Sequence, residues 1–317
     1  MSIAIGCTGG KYSGPLWLNS TYPGVPRGRI QHAMIITESF VWINYPKTAS
    51  TFVRLALREI YRIPGHDVFK RLRMRGRWME ELLLPENRAC VGDRSGAPTP
   101  HGTRRQIPFQ HRGKPVISAI RCPVDRCLSL YRYGDWKSAD QMPASANEIA
   151  RLFPSYPDLS FDCFVEYMIH FYSGILEIGG NDYKLGPQSA DFLAFFSHAS
   201  NQTAGRFVFE TWKQLESTLQ GVVFLDAKNM NSELFGRLVT LGYAPGSVRC
   251  ILAMKPANES RSKGDRFVVS DSAREKINRA EWLLHAWLLR TVAGSTVDLS
   301  KEAADATASE AEGATGL

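Results

Sequence analysis

The apolar positions of the chain alternate between two periods. Phe40 to Tyr45 is a short apolar run of β-branched and aromatic residues, which predicts a buried strand that Pro46 ends. From Ala49 onward Phe52, Val53, Leu55, Ala56 and Ile60 recur at helical spacing, with Thr48, Ser50 and Thr51 where a helix starts. The same switch recurs downstream. Lys114 to Arg121 predicts a second buried strand, and after Pro123 the residues Val124, Cys127, Leu128 and Tyr131 repeat at three and four, with the proline suited to a first helical turn. Arg88 to Asp93 reads as a brief strand before a Gly/Pro loop from Ser95 to Gly102. Residues 135–200 read as mostly helical, with Phe161, Phe164, Val165, Met168 and Ile169 on one face. Gly221 to Asp226 predicts another buried strand, followed by an amphipathic helix from about Asn231 to Leu241 closed by Gly242. A long final helix is expected from Asp271 to Leu289, with Ile277, Leu284, Trp287 and Leu288 inward. Alternating strand, turn and helix predict an α/β domain around a parallel sheet.

At 317 residues and 44% apolar content, the chain can bury one large core. Residues 1–38, rich in Gly, Pro and Ser, are expected to be a lead-in, residues 39–293 the domain, and residues 294–317 a disordered tail. The net charge is +7, although the end of the chain sets Lys301 against Glu302, Asp305, Glu310 and Glu312, so the remainder is more basic than the whole. That surplus suits a polyanionic ligand: a nucleotide, a nucleic acid or an acidic glycan. The basic run from Lys70 to Trp78 reads as a solvated helix face or loop, ahead of a nucleic-acid patch or a surface that steers an anionic acceptor. Cysteines 7, 90, 122, 127, 163 and 250 show neither a Cys-x-x-Cys pair nor histidines at zinc-ligand spacing, so most are expected to be buried thiols. Met1 to Tyr12 lacks a charged region before an apolar core, and no apolar run approaches a membrane span. A soluble, cytoplasmic protein is expected. Nothing in the pattern specifies an oligomeric state.

The junction at Tyr45-Pro46-Lys47-Thr48-Ala49-Ser50-Thr51-Phe52 carries the first candidate chemistry. Amides of a first helical turn face an approaching ligand, the helix dipole favours an anion there, and Lys47 adds a full charge beside hydroxyl donors. Gly6-Cys7-Thr8-Gly9-Gly10-Lys11 lacks the glycine spacing, the following Ser/Thr and the preceding strand of a phosphate loop. The second junction, Arg121-Cys122-Pro123-Val124-Asp125-Arg126-Cys127-Leu128-Ser129, offers a guanidinium fork for a dianionic phosphate and a hydroxyl two helical turns on.

Together these junctions resemble the sulfotransferases that use 3′-phosphoadenosine 5′-phosphosulfate (PAPS). The first is similar to the family's 5′-phosphosulfate loop, Pro-Lys-Ser/Thr-Gly-Ser/Thr-Thr, with Ala49 in place of the glycine; the second is similar to its 3′-phosphate motif, with Arg121 and Ser129 in place and Cys122 where Asn or Asp is usual. The resemblance spans roughly Phe40 to Leu289. It implies a three-layer α/β/α fold with a central parallel sheet, related to nucleotide kinases, and a sulfuryl transfer that needs no metal. Lys47, Thr48, Ala49, Ser50, Thr51 and Phe52 would hold the 5′ end, with Phe52 beside the adenine, while Arg121 and Ser129 would hold the 3′-phosphate. Arg261, Lys263 and Gly264 would form a closing basic loop. His101, followed seven residues later by Pro108, matches the family's histidine base; His111 and Asp93 are the alternatives. Trp136, Tyr167, His170 and Tyr172 could wall the acceptor pocket. The acceptor would be a small molecule or glycan, with no nucleic acid expected. The rivals are a phosphoryl-transferring kinase of related fold and a basic nucleic-acid-binding protein.

Overall fold

The structure, a computed structural model, describes residues 34–61, 72–74, 77–82, 101–137, 144–197, 205–255, 268–291 and 297–314. The chain order begins β1 (Met34–Thr37), β2 (Val41–Ile43), α1 (Ser50–Ile60), β3 (Leu72–Met74), β4 (Arg77–Leu82), β5 (Val116–Ile120) and α2 (Pro123–Tyr133). It continues with α3 (Ala146–Leu152), α4 (Phe161–Tyr172), β6 (Gly174–Ile178), β7 (Asn181–Leu185), α5 (Pro187–Phe196), β8 (Arg206–Phe209), α6 (Trp212–Leu219) and β9 (Val222–Asp226). The last elements are α7 (Met230–Thr240), α8 (Pro245–Val248), α9 (Cys250–Ala253), α10 (Asp271–Ala280), α11 (Trp282–Thr291) and α12 (Leu299–Ala314).

The main sheet runs β3-β4-β1-β2-β5-β9. Strands β2, β5 and β9 are parallel, with Val41 opposite Val116 and Val116 opposite Val222. The other half is antiparallel, so the sheet is mixed and the expected parallel sheet holds only for these three strands. Connection length explains the difference. Only three residues join β1 to β2, too few for a crossover, and Thr37 closes that turn by accepting at Oγ1 from the Phe40 amide at 2.9 Å. β1 is wholly buried in the middle of the sheet, which corrects the lead-in: the fold includes Met34 to Thr37. The basic run expected as a helix face or loop contributes instead the β3–β4 pair, with Leu72 opposite Met79.

Alternation along the strands feeds two cores. Ile36, Val41, Ile43, Val116 and Ile120 face a cluster with α5, α11 and α12, while Ile35, Trp42, Ile117 and Ala119 face one with α1, α7 and α9. A third cluster joins α2, α4 and α10; it buries Trp136, Tyr167 and Tyr172, while His170 is exposed, so these three aromatics fill core rather than wall a pocket. A second sheet runs β7-β6-β8, and its strands β6 and β7 stand where mostly helix was expected. Its hairpin turns through Gly179 and Gly180, both at positive φ.

Two late elements depart from expectation. The final helix breaks into α10 and α11 at Glu281, whose carboxylate accepts from the amides of Gln188 at 3.0 Å and Ser189 at 2.7 Å and so caps α5 from outside. The tail expected to be disordered forms α12, with Leu299 and Ala303 each 1% exposed on the first core. Its alanines favour helix, and an apolar stripe anchors it despite the acidic composition. Among the described cysteines only Cys127 is buried, contrary to expectation. No helix among the described residues is long and apolar enough to cross a membrane.

Candidate functional site

Because β2 and β5 are adjacent and parallel, the loops that leave them emerge side by side at one sheet edge. The loop after β2 is tied down through its carbonyls. Ser118 Oγ donates to Ile43 O at 2.8 Å, Thr48 Oγ1 to Tyr45 O at 2.8 Å, Arg126 Nε to Pro46 O at 3.1 Å and Arg121 Nη1 to Lys47 O at 3.4 Å. His101 Nδ1 bonds the Asn44 carbonyl at 2.8 Å. Every carbonyl from Ile43 to Lys47 therefore has a side-chain donor. In a trans peptide the N–H points opposite to the C=O, so the Pro46 oxygen, held inward by the buried Arg126, aims the Lys47 amide the other way, and the Lys47 oxygen, held by Arg121, aims the Thr48 amide away from that guanidinium. Beyond them, the amides of Ala49 to Phe52 precede the first i−4 bond of α1, made by Val53 N to Ala49 O at 3.2 Å. No acid lies in that first turn. Successive outward amides at a helix start make an anion cradle.

The cradle is strained. Lys47 (φ 63°) and Ala49 (φ 66°) both occupy the left-handed region, which costs an L-residue with a Cβ about 1–2 kcal/mol each. Ala49 thus takes a geometry that a glycine would take freely. Ala49→Gly is accordingly expected to stabilise the fold by about 1 kcal/mol without weakening anion binding, read by thermal denaturation; an unchanged or lower midpoint would contradict the strain.

The structure brings together many of the expected ligands and redirects some. Arg121, Ser50 and Thr51 are half-buried around the cradle. The Lys47 ammonium lies over the face of the Tyr133 ring, and Tyr133 stands one helical turn after Ser129 on the same stripe of α2. Two side chains are corrected. Thr48 is fully buried with its hydroxyl spent on Tyr45, so only its backbone faces the site. Phe52, expected beside the adenine, is 3% exposed within the core between α1 and the sheet, because its place in the apolar stripe of α1 points it inward. Arg261, Lys263, Gly264 and Asp93 lie outside the described residues. His111 is buried in the turn Phe109–His111, and His101 is the histidine held against the loop.

Donation from Nδ1 to Asn44 leaves Nε2 of His101 as the unprotonated nitrogen, the tautomer a general base requires. Burial is the main cause that lowers its pKa to about 4, with Lys47, Arg126 and Arg54 adding to it against the Asn44 bond. An unfolded chain protonates this histidine near pH 6.5, so its contribution to stability is full above that pH and is lost as pH falls through about 4. Glu281 has the opposite sign: burial raises it from 4.5 to about 7, so its contribution is full below 4.5 and is lost as pH rises through 7. Across the shared window the two offset. Removing the first exposes the second: relative to wild type, His101→Ala is expected to gain about 2 kcal/mol on acidification from pH 6.5 to 4.5, measured by urea denaturation. A difference independent of pH would mean that the imidazole is not held neutral.

Sequence reasoning missed the residues beneath the loop. Arg126, 1% exposed, lies over the Tyr45 ring, 4.4 Å from its guanidinium carbon, and pairs with Asp191 at 3.0 Å. Burial pushes the Asp191 carboxyl up while the guanidinium pulls it back. A legible signal existed: Arg126 falls on the apolar stripe of its helix with Pro123 and Leu130, and Asp191 is followed directly by Phe192 and Leu193. Compared with protein-family models, curated proteins and solved structures, the chain matches none of them, so the reading of this site rests on its own geometry.

Proposed function

We propose that this chain is a sulfotransferase that moves the sulfuryl group of PAPS to a hydroxyl or amine of a small-molecule or glycan acceptor. One observation carries the reading: two adjacent parallel strand ends present an amide cradle and a half-buried arginine, and Arg121 reaches the carbonyl of Lys47 itself. A nucleotide with phosphate at both its 3′ and 5′ positions is the ligand that such paired sites suit.

In the proposed reaction the acceptor oxygen or nitrogen attacks sulfur, the bond from sulfur to the 5′-phosphate oxygen breaks, and the electron pair stays on that oxygen. The acceptor proton passes to His101 Nε2. Lys47 and the first-turn amides of α1 stabilise charge on the departing phosphate; the amides stand fixed at the helix start, and the ammonium moves onto the phosphate from the Tyr133 ring when the nucleotide binds. Binding of a polyanion would also raise the low pKa of His101 by countering Lys47 and its neighbours, which brings the base nearer to its working range.

A phosphate-loop kinase uses the hydroxyl that follows its lysine to hold magnesium. Here that hydroxyl, on Thr48, is buried against Tyr45, which favours sulfuryl over phosphoryl transfer. Calorimetric titration with 3′,5′-adenosine bisphosphate and with magnesium ATP separates the two. Micromolar binding of the first and none of the second is expected; the reverse would replace the sulfotransferase reading with the kinase one.

A further inference from the structure

Pro46 has no N–H, so its carbonyl is the single backbone polar group by which the loop can be held at that point. Arg126 Nε takes it at 3.1 Å. The ring fixes φ of Pro46, so fixing its carbonyl sets ψ and with it the plane of the peptide to Lys47. That peptide carries the first outward amide of the cradle. Arg126 is itself held on the far side, by Asp191 at 3.0 Å and by Gln188 Oε1 at 3.5 Å. Gln188 completes the clamp: its Nε2 donates to Pro123 O at 3.0 Å and its carbonyl accepts from Tyr45 Oη at 3.1 Å. The starts of α2 and α5 thus grip Tyr45 and Pro46 together, directly before the strained Lys47.

We propose that Arg126 is the positioning residue of the anion cradle, holding the loop in its left-handed conformation through the Pro46 carbonyl. This rests on the reading of the cradle as a phosphosulfate site. Strained backbone persists where its surroundings over-determine it, and Arg126 supplies the bond at the peptide that opens the strained segment. An ion pair buried for stability alone would be replaceable by a neutral pair of similar volume.

The test compares Arg126→Met with the double variant Arg126→Met/Asp191→Asn. The single variant strands a buried carboxylate and is expected to lose stability; the double variant removes both charges and is expected to regain most of its melting temperature. Neither has a donor to Pro46. In both, 3′,5′-adenosine bisphosphate is therefore expected to bind at least about tenfold more weakly, and the amides of residues 47–52 to exchange faster with deuterium while those of β5 and β9 do not. Recovery of affinity along with melting temperature in the double variant would make Arg126 merely structural and overturn the proposal. Should wild type fail to bind the bisphosphate, the sulfotransferase reading falls, and exchange alone decides Arg126: faster loop amides in the double variant support the positioning role and wild-type rates refute it.

Discussion

Arg121→Ala is expected to weaken binding of 3′,5′-adenosine bisphosphate by about 100-fold, and Lys47→Ala by about tenfold. The difference comes from how each cation is held. Arg121 is half-buried at the end of β5, with one Nη already on the Lys47 carbonyl, so its planar fork is pre-organised and meets a phosphate with little loss of side-chain freedom. Lys47 is a point charge on a long stem, and binding must lift its ammonium from the Tyr133 ring, which returns part of the gain. Arg121→Ala also removes a donor to the loop, which adds to its effect. Calorimetry at fixed ionic strength reads both constants. Wild-type affinity in both variants would remove the shared nucleotide site; affinity that survives Lys47→Ala yet falls steeply with salt would point to nucleic acid.

Gly186→Ala is expected to destabilise the fold by about 3 kcal/mol or more, read by urea denaturation. The backbone there is ordinary, with φ −64°, so strain is not the reason. A Cβ would lie 2.5 Å from Glu281 Oε1 and 2.7 Å from the Ala280 carbonyl. Neither can retreat. The carboxylate is fastened to the Gln188 and Ser189 amides, and the Gly186 amide donates to Ala280 O at 2.7 Å. Displacing Glu281 would uncap α5 and shift Gln188, which grips Tyr45 and Arg126. A loss under about 0.5 kcal/mol would mean that this junction is plastic.

Local pattern made the site's scaffold legible. Apolar β-branched runs marked β2, β5 and β9, and the shift to helical spacing after Pro46 and Pro123 marked α1 and α2. The hairpin β6–β7 was missed, although Ile175 and Leu176 stand before Gly179-Gly180 and Tyr183 and Leu185 after it. Such a diglycine turn between alternating residues is a strand signal that the surrounding helical pattern masked. Composition misled at α12, where acidic charge obscured a narrow apolar stripe.

The sequence by itself determined which residues sit at the two strand ends, that a lysine and an arginine stand there, and that a histidine precedes the second strand, because hydrophobic period and proline position are local properties of the chain. Only the tertiary structure decided that the two ends are neighbours and that Arg126, Asp191, Gln188 and Glu281 hold the loop from beneath. Those outcomes depend on which groups meet across 62 to 143 residues of chain, where a buried donor must find its acceptor or lose its hydration uncompensated, and no short window of sequence contains both partners.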